Sequence, residues 1–200
     1  MPAEKKILLA TGNHHKLSEF NDIAYDLRLP ITFIDLKHAG ISTFPDETGI
    51  SYLQNARIKA MEAFSKSGMP SLADDSGLEV ISLCNSPGIY SARYAGHAAS
   101  DSENRTKLLE AMQTDIRRTA RFVCVLCYID ADTEVYFVGA VSGSIALKEA
   151  GKDGFGYDSL FIPAGYKHTF AEMYFEEKNK ISHRAHAMRA FSEWYKQKIK

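Results

Sequence analysis

The sequence predicts an α/β protein built on a central mixed β-sheet flanked by helices, and three observations carry that expectation. Short apolar runs bounded by polar residues alternate with helically spaced segments through the first third of the chain. Two long β-branched and aromatic runs, Arg121 to Ile129 and Glu134 to Val141, flank Asp130-Ala131-Asp132-Thr133, a hairpin signal long enough for an extended arm. The length of 200 residues and 45% hydrophobic content suit one globular domain over residues 1–200 with a substantial core.

Taken in order, Lys6 to Ala10 reads as a buried first strand ending at Thr11-Gly12-Asn13. A helix follows over His15 to Leu27, where Leu17, Phe20, Ile23, Ala24 and Leu27 make one apolar stripe. Ile31 to Leu36, after Pro30, is a second strand. The stretch from Phe44 to Gly49 is an acidic turn, and Leu53, Ala56, Arg57, Ala60, Ala63 and Phe64 mark a helix that stops near Gly68-Met69-Pro70. A strand from Ser71 is expected to end at Asp74-Asp75, turn at Ser76-Gly77, and resume as Leu78 to Leu83. Ser100-Asp101 caps a helix reaching Met112, and Ser144 to Leu147 extends the sheet. A glycine-rich loop over Gly151 to Tyr157, a short strand over Ser159 to Ile162 and a helix over Ser182 to Ile199 complete the chain.

Composition narrows the function. Lys and Arg number 24 against 25 Asp and Glu, so no basic stripe points to nucleic acid. No apolar run is long enough to span a bilayer, and the first residues lack a secretory signal's apolar region. Three cysteines suit a reducing compartment, so a cytoplasmic protein is expected. Cys124 and Cys127, three apart on a strand, point to opposite faces and read as core residues.

Four stretches carry chemistry. Thr11, Gly12, Asn13, His14, His15 and Lys16 form a strand-to-helix turn whose amides and ammonium suit a phosphate, although the Walker and dinucleotide patterns are absent. Asp46 and Glu47 in one loop, with Asp74 and Asp75 in another, offer the hard oxygen ligands that hold Mg²⁺ together with phosphates and water. In Gly151 to Asp158 the glycines permit close backbone approach, and Phe155 and Tyr157 offer rings for stacking. Ser182 places His183 and Arg184 in the first turn of the last helix, where an Arg opposes the helix dipole and suggests an anionic or carbonyl-bearing partner; Lys178 stands just before them. Each has a bland alternative: an ordinary turn, a mobile loop, a solvated charge run. Together they are the parts of a nucleoside triphosphate site.

The stretches ATGNHHKLSEF, DETGISYLQNARIKA, ADDSGLEV, SPGIYSARYAG, GFGYDSLFIP, TFAEM and KNKISHRAHA, in this order from Ala10 to Ala187, resemble the inosine/xanthosine triphosphate pyrophosphatase family, the Ham1-like house-cleaning nucleotidases. The resemblance implies an elongated fold of two lobes with an active-site cleft between them, a homodimer, and Mg²⁺-dependent hydrolysis of ITP, dITP and XTP to monophosphate and pyrophosphate. It implies that Thr11 to Lys16 hold the phosphates, that Asp75 is the water-activating carboxylate and a metal ligand, and that Ser76 touches substrate. Asp46 or Glu47 would supply the other metal ligand. Phe155, Gly156, Tyr157, Asp158, Lys178, His183 and Arg184 would form the rest of the nucleotide site. Four positions depart from the family pattern: His14-His15 where a small residue and Gly are usual, Gln54 for Glu, and Ser159 for Pro.

The expected reaction is in-line attack of water on the α-phosphorus, with Lys16 or Lys178 offsetting charge on the departing pyrophosphate. A nucleotide sensor without turnover, or a nucleotidase for other modified triphosphates, would keep much of the same pattern.

Overall fold

The computed structural model describes residues 5–43 and 45–199, so Phe44 of the acidic turn lies outside the described residues. Its elements are β1 (Lys5–Leu9), α1 (His14–Asp26), β2 (Ile31–Ile34), α2 (Tyr52–Ser67), β3 (Ser71–Val80), α3 (Asp101–Ala111), β4 (Thr119–Ile129), β5 (Glu134–Ile145), β6 (Phe161–Pro163), α4 (Phe175–Ile181) and α5 (His183–Lys198). Six strands form one sheet in the order β2-β1-β3-β4-β5-β6. β1 pairs in parallel with β2, Lys5 opposite Ile31, and with β3, Leu8 opposite Ser71. β5 and β6 are antiparallel, Ser144 opposite Ile162, so the sheet is mixed as expected.

Local chemistry sets the helix ends. Asn13 caps α1 through its side chain, Ser51 caps α2, and Ser100 and Glu103 form a reciprocal capping box on α3. Gly68, in the left-handed conformation at φ 67°, terminates α2.

The chain divides into two compact units. The first comprises Met1–Asp75, Cys124–Gly139 and Arg184–Lys200. Its core joins Phe20, Ile23 and Ala24 of α1 to Ile7, Leu9, Phe33, Leu72, Cys124, Leu126, Met188 and Phe191. The second comprises Ser76–Val123 and Ala140–His183, and packs Leu78, Val80, Leu108, Met112, Phe122, Phe161 and Phe170. The two aromatic groups interlock edge-on or tilted: Phe20 on Phe33 at 5.6 Å in the first, Phe122 on Phe161 at 4.7 Å in the second.

Three expectations are corrected. β3 runs unbroken from Ser71 to Val80, so Asp74-Asp75-Ser76-Gly77 is strand rather than turn, and the piece beyond is a 3₁₀ turn at Ile81–Leu83. The short strand begins at Phe161, two residues later than Ser159. An additional helix, α4, precedes Ser182, which lies extended between α4 and α5.

Candidate active site

In the first unit, four polar side chains from α2 and β3 organise the acidic residues. On the buried face of α2, Asn55 and Lys59 stand one turn apart among Ala56, Ala60 and Ala63. Asn55 accepts from the Gly49 amide at 2.9 Å and donates to Asp75 Oδ2 at 3.2 Å. A Cβ on Gly49 would fall 2.6 Å from Asn55 Oδ1, so the loop needs glycine there for this close approach. The Lys59 ammonium lies 2.8 Å from Glu47 Oε1 and 3.0 Å from Asp75 Oδ1. Thus α2 ties the loop carrying Glu47 to the strand carrying Asp75. The Asp46 carbonyl accepts from the Thr48 amide at 3.0 Å.

The adjacent carboxylates have opposite electrostatics. Burial pushes Asp75 above the ordinary carboxylate value, assisted by Glu47 and opposed by Lys59. Burial would do the same to Asp74, but Lys16, Arg184 and Lys59 override it and hold that carboxyl well below the usual range. Lys16 Nζ meets Asp74 Oδ2 at 2.8 Å, and Arg184 Nη2 lies 3.7 Å from the same oxygen. Arg184 also pairs through Nη1 with Glu19, both almost wholly buried. Asp74 therefore anchors cations, whereas Asp75 is a carboxylate of raised basicity. These cations explain why β3 passes through two aspartates without breaking: a buried charge is tolerated when it is paired.

The turn before α1 differs from the sequence expectation in one respect. The first-turn amides of His15 and Lys16 already donate to Asn13 Oδ1, at 2.9 and 3.4 Å. Gly12, His14 and His15 are exposed, while Thr11 and Lys16 are half-buried. A phosphate here would meet the Lys16 ammonium and exposed turn backbone rather than the amides of His15 and Lys16. Gln54, exposed on α2, accepts from the Ile50 amide at 2.8 Å and so acts as a neutral cap on the acidic loop.

The second unit carries the remaining candidates. Asp158 is buried and accepts from the Phe155 amide at 2.9 Å and from Lys178 Nζ at 2.8 Å. Lys178 in turn lies 5.1 Å from the Phe155 ring centroid, a cation–π distance. Tyr157 is buried in the core and donates its hydroxyl to the Ser91 carbonyl at 2.9 Å, so its ring is a packing group, while Phe155 stays half-buried. His183, also buried, stacks on Phe122 at 4.7 Å with planes 12° apart. Ser76 is half-buried.

Sequence reasoning missed Asn55, Lys59 and Glu19. The available signal was a Lys and an Asn at helical spacing within a stripe of alanines, and a Glu beside Phe20 on the apolar face of α1.

Glu47 and Asp75 converge on one cation, and this donor set fits a hard divalent ion. Among the described residues no group of three or more His, Cys, Asp or Glu side chains gathers as a metal cage. Two carboxylates with the remaining positions left to water and phosphate oxygens is a common Mg²⁺ arrangement.

A mixed-sheet α/β protein with an ammonium-bridged carboxylate pair and a glycine-rich loop clasped by a buried Lys–Asp pair defines a class of phosphate-handling α/β proteins. The chain belongs to the Ham1 family, whose model matches residues 7–194. The dITP/XTP pyrophosphatase of Haemophilus influenzae is 43% identical over 190 residues, covering 92% of this chain and 96% of that protein. The Ham1 protein of Staphylococcus aureus superposes with a TM-score of 0.86 at 36% identity, covering 97% of this chain and 100% of that one. The HAM1 protein of Coxiella burnetii gives 0.87 at 38% identity, covering 96% and 99%.

Proposed function

We propose that the protein is a nucleoside triphosphate pyrophosphatase, acting as one domain over residues 1–200, that hydrolyses dITP, ITP and XTP to the monophosphate and pyrophosphate. The observation that carries this reading is the bridge from Glu47 through Lys59 to Asp75, in a chain of the Ham1 family. Mg²⁺, held by Glu47 and Asp75, would supply positive charge to the phosphates when bound.

The chain's own residues divide the work. Asp75, raised in basicity by burial, orients the attacking water and takes its proton as the new oxygen–α-phosphorus bond forms and the bond to pyrophosphate breaks. Lys16, with Thr11, Gly12, Asn13, His14 and His15, receives the phosphates. Lys59 keeps the two carboxylates apart and oriented. In the second unit Ser76, Phe155, Gly156, Lys178 and His183 receive the nucleoside, with Asp158 and Tyr157 holding their loop. Arg184, anchored by Glu19, acts through Asp74, which also holds Lys16. Donors aimed at a purine 6-keto oxygen reject adenine, because a buried donor left without an acceptor costs about 1–3 kcal/mol.

We also place the protein in the cytoplasm as a homodimer. All three cysteines are free, which suits a reducing compartment, and Ile81, Tyr90 and Ile116 expose apolar surface that a second copy would cover. No described helix is long and apolar enough to cross a membrane.

Product analysis with purified protein, Mg²⁺ and dITP or XTP, against dATP and GTP, tests this reading. Monophosphate plus pyrophosphate from dITP and XTP alone supports it. Binding without product would leave a sensor, and orthophosphate release would refute attack at the α-phosphorus.

A further inference from the structure

We infer that Arg105, with Asp101, Glu149 and Ser159, is a positioning brace that sets the nucleoside-binding conformation of the glycine-rich loop without touching the nucleotide. This rests on the proposed role of Phe155 and Lys178.

The geometry lies wholly within the second unit. Gly156, in the left-handed region at φ 60°, is gripped on both backbone groups by side chains of α3. Its amide donates to Asp101 Oδ2 at 2.7 Å, and its carbonyl accepts from Arg105 Nη1 at 3.0 Å. Asp101 and Arg105 are one helical turn apart, so one face of α3 provides both contacts. Both peptide groups of Gly156 need partners outside the helix and strand ladders, and here α3 supplies both.

The brace extends to the ends of the loop. Arg105 Nε meets Glu149 Oε2 at 2.8 Å, and the Ser159 hydroxyl donates to the same oxygen at 2.9 Å. Glu149 and Ser159 flank the loop, whose neck is closed by the Ala150 amide on the Ser159 carbonyl at 2.9 Å. Ser159 thereby acquires a purpose: it supplies a hydroxyl donor that proline lacks, tying the loop to α3 through Glu149 and Arg105. Asp158 holds the inner side through Phe155 and Lys178, and α3 holds the outer side at Gly156. A loop fixed from both sides presents the Phe155 ring in one orientation, which is the entropy of binding met in advance.

The test uses Arg105→Ala, Arg105→Lys and Ser159→Ala in the full-length protein. Steady-state kinetics with dITP are combined with amide hydrogen exchange at Gly156 in the free protein. Arg105→Ala is expected to raise KM about tenfold or more with kcat within about threefold, as loss of preorganised binding does. It should also speed Gly156 exchange about tenfold or more while exchange of the core strands stays unchanged. Arg105→Lys should recover part of the KM, and Ser159→Ala should move both readouts the same way, less far. Faster exchange with unchanged KM would overturn the positioning role, and so would equal falls in kcat and thermal stability without a KM change. Rapid Gly156 exchange in the unsubstituted protein would overturn the brace itself. That measurement needs no substrate, so it separates failure of the brace from failure of the proposed activity, which product analysis decides.

Discussion

Lys59 Nζ and Asp75 Oδ1 meet at 3.0 Å with both side chains nearly buried, and the same ammonium bridges to Glu47. Two carboxylates this close repel unless a cation lies between them. Lys59→Met keeps the side-chain length and removes that cation, leaving a metal ion as the partner the pair requires. The variant should therefore be less stable than the parent without metal, and Mg²⁺ should raise its melting temperature further than the parent's, since a ligand stabilises in proportion to its preference for the folded state. Thermal melts with and without Mg²⁺ measure this. Equal shifts in the two proteins would mean that Glu47 and Asp75 do not share a cation site.

Asp75→Asn preserves shape and removes the proton acceptor. A single general base contributes roughly 10²–10⁴-fold in rate, so pyrophosphate release should fall by that factor. Circular dichroism should report an intact fold at some cost in melting temperature, because Asn55 and Lys59 donate to different oxygens of Asp75 and only one of them keeps an acceptor in the amide. Turnover within a few-fold of the parent would remove Asp75 from the chemistry.

Much of this arrangement was legible in the sequence because it is local. Apolar spacing marked α1 and α2, the Ser100-Asp101 cap marked α3, and β-branched runs marked β4 and β5. What was not legible depends on partners distant in sequence. Asp-Asp-Ser-Gly reads as a turn by residue preference, and becomes the middle of β3 because Lys16, 58 residues before Asp74, and Lys59, 16 before Asp75, neutralise the pair. Lys59 itself looks like a solvated helix lysine until the fold turns it inward. The turn before α1 reads as a phosphate site in sequence, and its capping by Asn13 was not foreseen, since an N-cap and an anion site use the same amides. Tyr157 and Phe155 look equivalent in sequence, and only the packing around Ser91 sends one to the core.

The acidic turn offered Asp46 and Glu47 as alternatives, and of the two it is Glu47 that pairs with Lys59. Glu47→Gln should raise the Mg²⁺ concentration for half-maximal activity by at least the roughly 10–100-fold that loss of an outer metal partner costs. Asp46→Asn should leave it nearly unchanged. Metal titrations of the two variants decide the matter, and the opposite ranking would transfer the ligand role to Asp46.

Away from the site, Asp130 accepts from Lys198 at 2.6 Å and from the Tyr128 hydroxyl at 2.8 Å. Partial burial would raise its carboxyl, yet Lys198, Tyr128 and the Asp132 amide together hold it below the ordinary value. A carboxyl depressed by folding stabilises the protein above its unfolded value, about 3.9, and that contribution is lost as pH falls through the depressed folded value. The parent should therefore be more stable than Asp130→Asn at pH 7, by no more than about 1 kcal/mol for a partly solvated pair, with the gap closing toward pH 3. Urea midpoints at the two pH values check this, and a gap that widens in acid would contradict the assignment.

His183 tests base choice directly. Its ring stacks on Phe122 at 4.7 Å and is buried, so His183→Phe retains an aromatic ring of similar size in the stack while removing both ring nitrogens. A keto purine then loses a donor, whereas adenine, with an amino group at that position, loses nothing. At about 1–3 kcal/mol for one buried hydrogen bond, kcat/KM for dITP should fall roughly 5- to 150-fold while that for dATP holds or rises. The ratio of the two constants is the informative quantity, because a general loss of stability or active fraction lowers both together and cancels. An unchanged ratio with intact folding would place base discrimination on Lys178 and the loop backbone at Phe155 and Gly156 instead.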